Sequence, residues 1–263
     1  DGKLVAASST REGWLLDRAT GARVAVVKLP PGRGLAWSPD SKRLAINDGE
    51  RTAVRTLATG EDKELKSVAE PLRDGSLPSA AVAWSPDGKR LAIPYHHATD
   101  ERFAADVYDA ATWEAKRLTG HPKRVNAVAW SADGARLVTG CAGGVVVGWA
   151  AATGKEQWRS FLRGRDDTDG VVHALAVSPK DGAVAVAVSL GSGKGPERVV
   201  LLDGQTGDEV QHLTRGWDVP VTAVAWAPDG SFLVTGCGRR PPRGPARFEP
   251  DNTGEVVVWT RKP

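Results

Sequence analysis

One short phrase returns five times along this chain, and it constrains the fold more than any other feature. The segments are GLAWSPDSKRLAI from Gly34, AVAWSPDGKRLAI from Ala81, AVAWSADGARLVTG from Ala127, ALAVSPKDGAVAVAV from Ala174 and AVAWAPDGSFLVTG from Ala223. Their anchors Trp37, Trp84, Trp130, Val177 and Trp226 recur at about 46 to 49 residues. A repeat of that period is one supersecondary unit stacked on its neighbours. Each unit has the same grammar. An apolar run ends in Trp-Ser-Pro-Asp-Gly, where Pro presets φ, Asp bonds its own backbone and Gly takes a positive φ. A second alternating run follows, as in Arg90-Leu-Ala-Ile93. After a variable connection comes a third run, such as Val145–Trp149 or Val256–Trp259. A Thr-Gly turn stands at Thr59-Gly60, Thr153-Gly154 and Thr206-Gly207, and a more polar run such as Glu114–Leu118 closes the unit.

Four short strands with turns at this spacing predict one antiparallel sheet per repeat. No segment shows a sustained 3.6-residue apolar period, so helices are not expected. A single such sheet cannot bury both faces. Stacking the sheets radially buries face against face and leaves only short edges. The chain holds 10 Trp but only 2 Tyr and 4 Phe, and this geometry accounts for the bias. An indole at the end of the first strand fills the wedge between neighbouring sheets, where its N–H needs a partner. Trp37, Trp84, Trp130 and Trp226 are therefore expected to be largely buried.

The pattern resembles the WD40 repeat family over nearly the whole chain. The resemblance implies an all-β fold, a β-propeller of four-stranded antiparallel blades. The fullest unit runs from Gly120-His121 through VNAVAWSADGARLVTGCAGGVVVGW to Trp149. In that family a Gly-His before the first strand, a Ser/Thr in the second, an Asp in the turn and a Trp in the third form a hydrogen-bonded network. His121, Thr139 and Trp149 match three of these positions, and Gly143 stands where the Asp would be. The final unit offers Thr235 and Trp259, with Trp217 in place of the His. The remaining units look more like the PD40 repeats of TolB-type propellers, whose mark is WSPDGKRLA.

Six units are visible in residues 1–263, read as a single propeller domain, with six blades preferred over seven. Asp1–Ala6 matches the turn and second strand of a repeat, and Glu255–Trp259 matches a third strand. Each end is thus expected to be short by one strand, as if cut from a longer chain. An upstream segment of roughly 20 residues would supply both missing strands. In the WD40 family the ring commonly closes in this way.

Composition excludes several function classes. With 35 Lys+Arg against 32 Asp+Glu, the net charge of +3 is too small to predict a nucleic-acid partner. No apolar run approaches the ~18 residues of a membrane span, and the start lacks a signal-peptide pattern. The expected location is cytoplasmic, and the bias to Ala, Gly, Arg and Val suggests a bacterial source. Cys141 and Cys237 occupy equivalent places in sheets two apart, with Ser189 equivalent between them, so both are expected to be free thiols.

Sites of chemistry are scarce. His96 and His97 fall in PYHHATDERF, read as a loop, where two adjacent imidazoles do not converge on a metal. GSGKG at Gly191–Gly195 has Val188 where a phosphate loop needs its first Gly, and Gly195 where it needs Ser or Thr. RDDTDG at Arg165–Gly170 lacks the first ligand and the closing Glu of a calcium loop. His121, His173 and His212 have no nucleophile motif beside them. No catalytic residue, cofactor or metal site is therefore predicted. The feature worth most is the long segment GRRPPRGPARFEPDNTG at Gly238–Gly254. Its Arg239, Arg240, Arg243 and Arg247 offer bidentate anion contacts, and its four prolines stiffen it. Together with the resemblance, this points to a non-enzymatic interaction scaffold that holds a protein or peptide, or other domains of the same parent chain. The alternative is an enzyme or small-molecule-binding propeller with a site at the central channel mouth.

Overall fold

The computed structural model describes residues 2–8, 13–27, 34–49, 51–65, 81–97, 102–164, 168–190, 197–214, 220–237 and 255–260. Its elements are all strands. They form two compact units, Asp1–Val128 and Ala129–Pro263.

The first unit holds three antiparallel sheets. Sheet 1 is β1 (Leu4–Ser8), β2 (Gly13–Asp17) and β3 (Arg23–Val27). Sheet 2 is β4 (Gly34–Trp37), β5 (Arg43–Asn47), β6 (Thr52–Thr56) and β7 (Asp62–Leu65). Sheet 3 is β8 (Ala83–Trp84), β9 (Arg90–His97), β10 (Arg102–Asp109) and β11 (Ala115–His121). In sheets 2 and 3 the second strand alternates large and small side chains as Leu-Ala-Ile, and the packing follows it. Leu44 and Ile46 of β5 point at Leu15 and Ala6 of sheet 1. Ala45, on the other face of the same strand, packs with Leu91 and Ile93 of sheet 3. At the seam between sheets 2 and 3 the small Ala45 thus meets larger side chains, as close packing favours.

The second unit repeats the scheme. Sheet 4 is β12 (Val125–Trp130), across which the unit boundary falls, then β13 (Arg136–Cys141), β14 (Val145–Ala150) and β15 (Glu156–Phe161). Sheet 5 is β16 (Val171–Val177), β17 (Val184–Ser189), β18 (Glu197–Leu202) and β19 (Glu209–Leu213). Sheet 6 is β20 (Val221–Trp226), β21 (Phe232–Cys237) and β22 (Glu255–Thr260). Ala185 and Ala187 of sheet 5 share one core with Leu233 and Val257 of sheet 6. Each sheet is a propeller blade, and six follow one another in sequence. The first and last have three strands among the described residues, divided as the repeat pattern expects.

Of the four repeat tryptophans, Trp84 and Trp130 are buried, while Trp37 and Trp226 are half-buried. The indole of Trp84 donates to the Ala36 carbonyl of the preceding sheet at 3.1 Å. One expectation is corrected. Pro94, Tyr95, His96 and His97 are not in a loop; they extend β9, with Pro94 opposite Ala105 and His97 opposite Arg102. The alternation Leu91, Ile93, Tyr95 keeps this stretch on the core face, all three being buried. Proline is tolerated because β8 pairs only as far as Ala92, so Pro94 needs no N–H on that side.

Candidate functional site

The two ends of each sheet differ in how they are built. At one end, the turn between first and second strands is locked by a buried serine. Ser38 Oγ donates to Asp40 Oδ1 at 2.5 Å and accepts from the Arg43 N–H at 2.9 Å, while the Lys42 N–H reaches Asp40 Oδ1 at 3.0 Å. Ser85 with Asp87 (2.6 Å) and Ser131 with Asp133 (2.5 Å) repeat the arrangement. The serine hydroxyl, then the backbone N–H, holds each of these carboxyls below the usual aspartate range. At the same end, the turn between third and fourth strands closes on an aspartate in sheets 3 and 5. Asp109 accepts from Ala111 and Thr112 N–H at 2.9 and 3.0 Å, and Asp203 accepts from Gln205 and Thr206 N–H at 2.7 and 2.9 Å.

The opposite end of each sheet carries the variable connections, including residues 28–33, 66–82, 162–170, 190–196, 214–220 and 238–254. In sequence these connections differ in length and composition. Variable segments on a rigid sheet are where binding residues concentrate, and this end is the candidate site.

In the second unit several polar groups gather at that end of their strands. The pairing of β16 with β17 shifts register between Val172 and Ala174, which places His173 at a bulge, and a bulge re-aims a side chain. His173 Nε2 lies 2.6 Å from Ser189 Oγ. Cys141 and Cys237 end β13 and β21 as Ser189 ends β17, and both thiols are free. In the connection from β15 to β16, Arg163 and Asp169 form an isolated bridge and the Gly164 N–H reaches the Thr168 carbonyl at 2.9 Å. Residues 165–167 of RDDTDG lie outside the described residues.

The other residues singled out by sequence are distributed as follows. The Trp149 indole donates to Thr139 Oγ1 at 2.7 Å, and the Trp259 indole to Thr235 Oγ1 at 3.0 Å, each from third strand to second. His121 ends β11 and is buried. Gly143, in place of the family's aspartate, offers its N–H to Cys141 Sγ at 3.3 Å. His212 meets Glu209 at 2.7 Å and Arg198 at 3.3 Å on the exposed fourth strand of sheet 5. Arg239, Arg240, Arg243 and Arg247, Trp217 and the GSGKG segment lie outside the described residues, as do the side chains of His96 and His97. Among the described residues, no three His, Cys, Asp or Glu side chains group in a way that could hold a metal.

Sequence reasoning missed three features. Arg43 reaches from sheet 2 to sheet 3, bonding the Gly88 and Ala110 carbonyls at 3.1 and 3.3 Å with its guanidinium 4.6 Å from the Trp84 ring. Trp113 occupies the Gly position of the Thr-Gly turn with φ +61°, and meets Trp84 edge-on at 6.3 Å. Asp106 is buried and paired through both oxygens with Arg117, at 2.8 and 2.9 Å, while Arg117 lies over the Tyr95 ring. Burial, then the Asp106 charge, pushes the neighbouring Tyr108 hydroxyl up to about 12. The signal for this cluster was present: Asp106 interrupts an apolar strand, and Arg117 stands directly opposite.

Blade sheets with locked turns at one end and variable connections at the other define a β-propeller of repeated units. Two segments, residues 113–149 and 207–240, match the family model described as WD domain, G-beta repeat. Those two segments match the WD40 repeat, and the chain is an all-β propeller of antiparallel blades. No curated protein matches it. Among solved structures it is similar to a chain titled Kuenenia stuttgartiensis Hydrazine Synthase, with 19% identity and a TM-score of 0.75, covering 90% of this chain and 73% of that one. At that identity the likeness is one of fold alone.

Proposed function

We propose that this chain is a non-enzymatic interaction module that holds a protein or peptide at the variable-connection end of its blades. The observation that carries this reading is the asymmetry between blade ends. One end is tied down by the same serine and aspartate bonds in sheets 2, 3 and 4, while the sequence of the other varies in length and composition from sheet to sheet. The WD40 fold is compatible with such a role. Within this end, residues 238–254 supply four arginines suited to an acidic surface. The test starts from a partner recovered with the intact protein and measured by its dissociation constant. Replacing Arg239, Arg240, Arg243 and Arg247 together by Ala weakens binding at least tenfold with an unchanged melting temperature. Unchanged affinity in the quadruple variant overturns the assignment of this segment.

A second reading rests on the 2.6 Å contact between His173 and Ser189, which places a base beside a hydroxyl. Ser189 is only 8% exposed, which argues against a working nucleophile. Labelling of Ser189 by a fluorophosphonate, lost in His173→Ala, would favour this reading.

A further inference from the structure

We propose that β3 of sheet 1 pairs edge to edge with β3 of a second copy of this chain, antiparallel, joining two molecules through one continuous sheet. The contact does not rest on the reading above. The strand order of sheet 1 is β1-β2-β3, and β1 matches the second strand of a repeat, so β3 is the fourth. A first strand belongs beyond β1, on the opposite side of the sheet, and has no bearing on this edge. Among the described residues nothing pairs with the outer edge of β3. The fourth strands of sheets 2 to 5 stand at the same edge of their sheets. Such an edge presents unpaired N–H and C=O groups that template pairing with another chain, and charged side chains are the usual guard.

The fourth strands differ in that guard. β7 reads Asp-Lys-Glu-Leu, β11 carries Lys116 and Arg117, β15 carries Glu156 and Arg159, and β19 carries Glu209 and His212. β3 reads Arg-Val-Ala-Val-Val, with its single charge at the first residue and no proline or glycine. That charge is engaged inward, the Arg23 guanidinium lying 4.8 Å from the Trp14 ring of β2. Val24 beside it is 56% exposed. The bulge at Val24 recurs in the fourth strands of sheets 4 and 5, so it does not set β3 apart. Val24–Val27 therefore offers an extended backbone edge without charge. The occupant follows from the sequence of that edge. A two-fold axis that brings one edge against its own copy makes the pair antiparallel. Centred on Ala25, the axis sets Val24 opposite Val26 of the other copy and Arg23 opposite Val27. Two valine pairs result and no like charges meet, the combination that stabilises a ladder.

Sedimentation equilibrium of the full chain over a range of concentrations tests this. The expected result is a reversible monomer–dimer equilibrium, with hydrogen exchange of residues 23–27 slowed in the dimer. Val24→Lys places a charge on the exposed edge, weakens association at least tenfold and leaves the thermal melt unchanged. Val210→Lys, at an exposed valine of another fourth strand, leaves association intact. A chain that stays monomeric up to millimolar concentration overturns the proposal, as does a dimer of equal strength in Val24→Lys. A dimer kept in Val24→Lys but lost in Val256→Lys also overturns it, by placing the contact on β22. Slowed exchange of residues 23–27 only in complex with an extended segment of another protein, without self-association, overturns the choice of occupant.

Discussion

The hydroxyl of Ser85 is sealed from solvent, donates to Asp87 and accepts from the Arg90 N–H. Removing it leaves a buried N–H without this acceptor, so Ser85→Ala is expected to cost about 1–3 kcal/mol by urea titration. The same bonds give a pH dependence with a definite sign. The serine hydroxyl, then a backbone N–H, holds the carboxyls of Asp40, Asp87 and Asp133 below the usual aspartate range. Their contribution is therefore full above the unfolded value, near pH 4, and is lost as pH falls through the lower folded values. Melting temperature measured from pH 6 to pH 2 should fall less steeply below pH 4 when all three are replaced by Asn. Trp113 offers a second residue-scale test. Its positive φ is strained for any side chain with a Cβ, while its ring contributes an edge contact with Trp84 and a place near Arg43. Both Trp113→Ala and Trp113→Gly lose the ring, but only glycine relieves the backbone. The Gly variant should be more stable than the Ala variant by about 1 kcal/mol.

At the scale of strands and sheets, the seams are held by aromatic wedges placed differently in each unit. Trp84 is buried against the preceding sheet, and Trp84→Ala is expected to cost about 3–5 kcal/mol; the half-buried Trp37 should cost less. In sheet 4 the wedge is Trp158, whose indole donates to the Gly204 carbonyl of sheet 5 at 3.1 Å. Gly148 and Gly207 make its room: a Cβ on either would come within 2.2 or 2.5 Å of the ring. Gly148→Ala should therefore destabilise by about 1–3 kcal/mol and redshift the tryptophan emission. This difference also explains what the chain disclosed before its structure. The blade repeat was legible because Trp-Ser-Pro-Asp-Gly combines a strand end with turn chemistry that has few alternatives. Trp158 was not, because its signal is a glycine inside a valine run, and a lone Gly in a strand reads equally as a bulge or a weakness. His96 and His97 were misplaced because two polar residues after a proline look like a loop until the alternation through Tyr95 is followed. The division of blade ends needs only strand order, so it was readable in outline. Which groups meet there was not: the His173 contact with Ser189 depends on a bulge that no residue in the sequence marks.

For the molecule as a whole, the two kinds of blade end carry different lysines. Lys42, Lys89, Lys155 and Lys180 belong to the locked turns, whereas Lys66, Lys123 and Lys194 belong to the variable connections. Lysine footprinting of the chain, free and bound to a partner recovered with the parent protein, reads the two ends separately in one experiment. Binding at the variable end predicts protection of Lys66, Lys123 or Lys194 from acylation, with Lys42, Lys89, Lys155 and Lys180 modified as in the free chain. Protection confined to the four turn lysines would contradict the account.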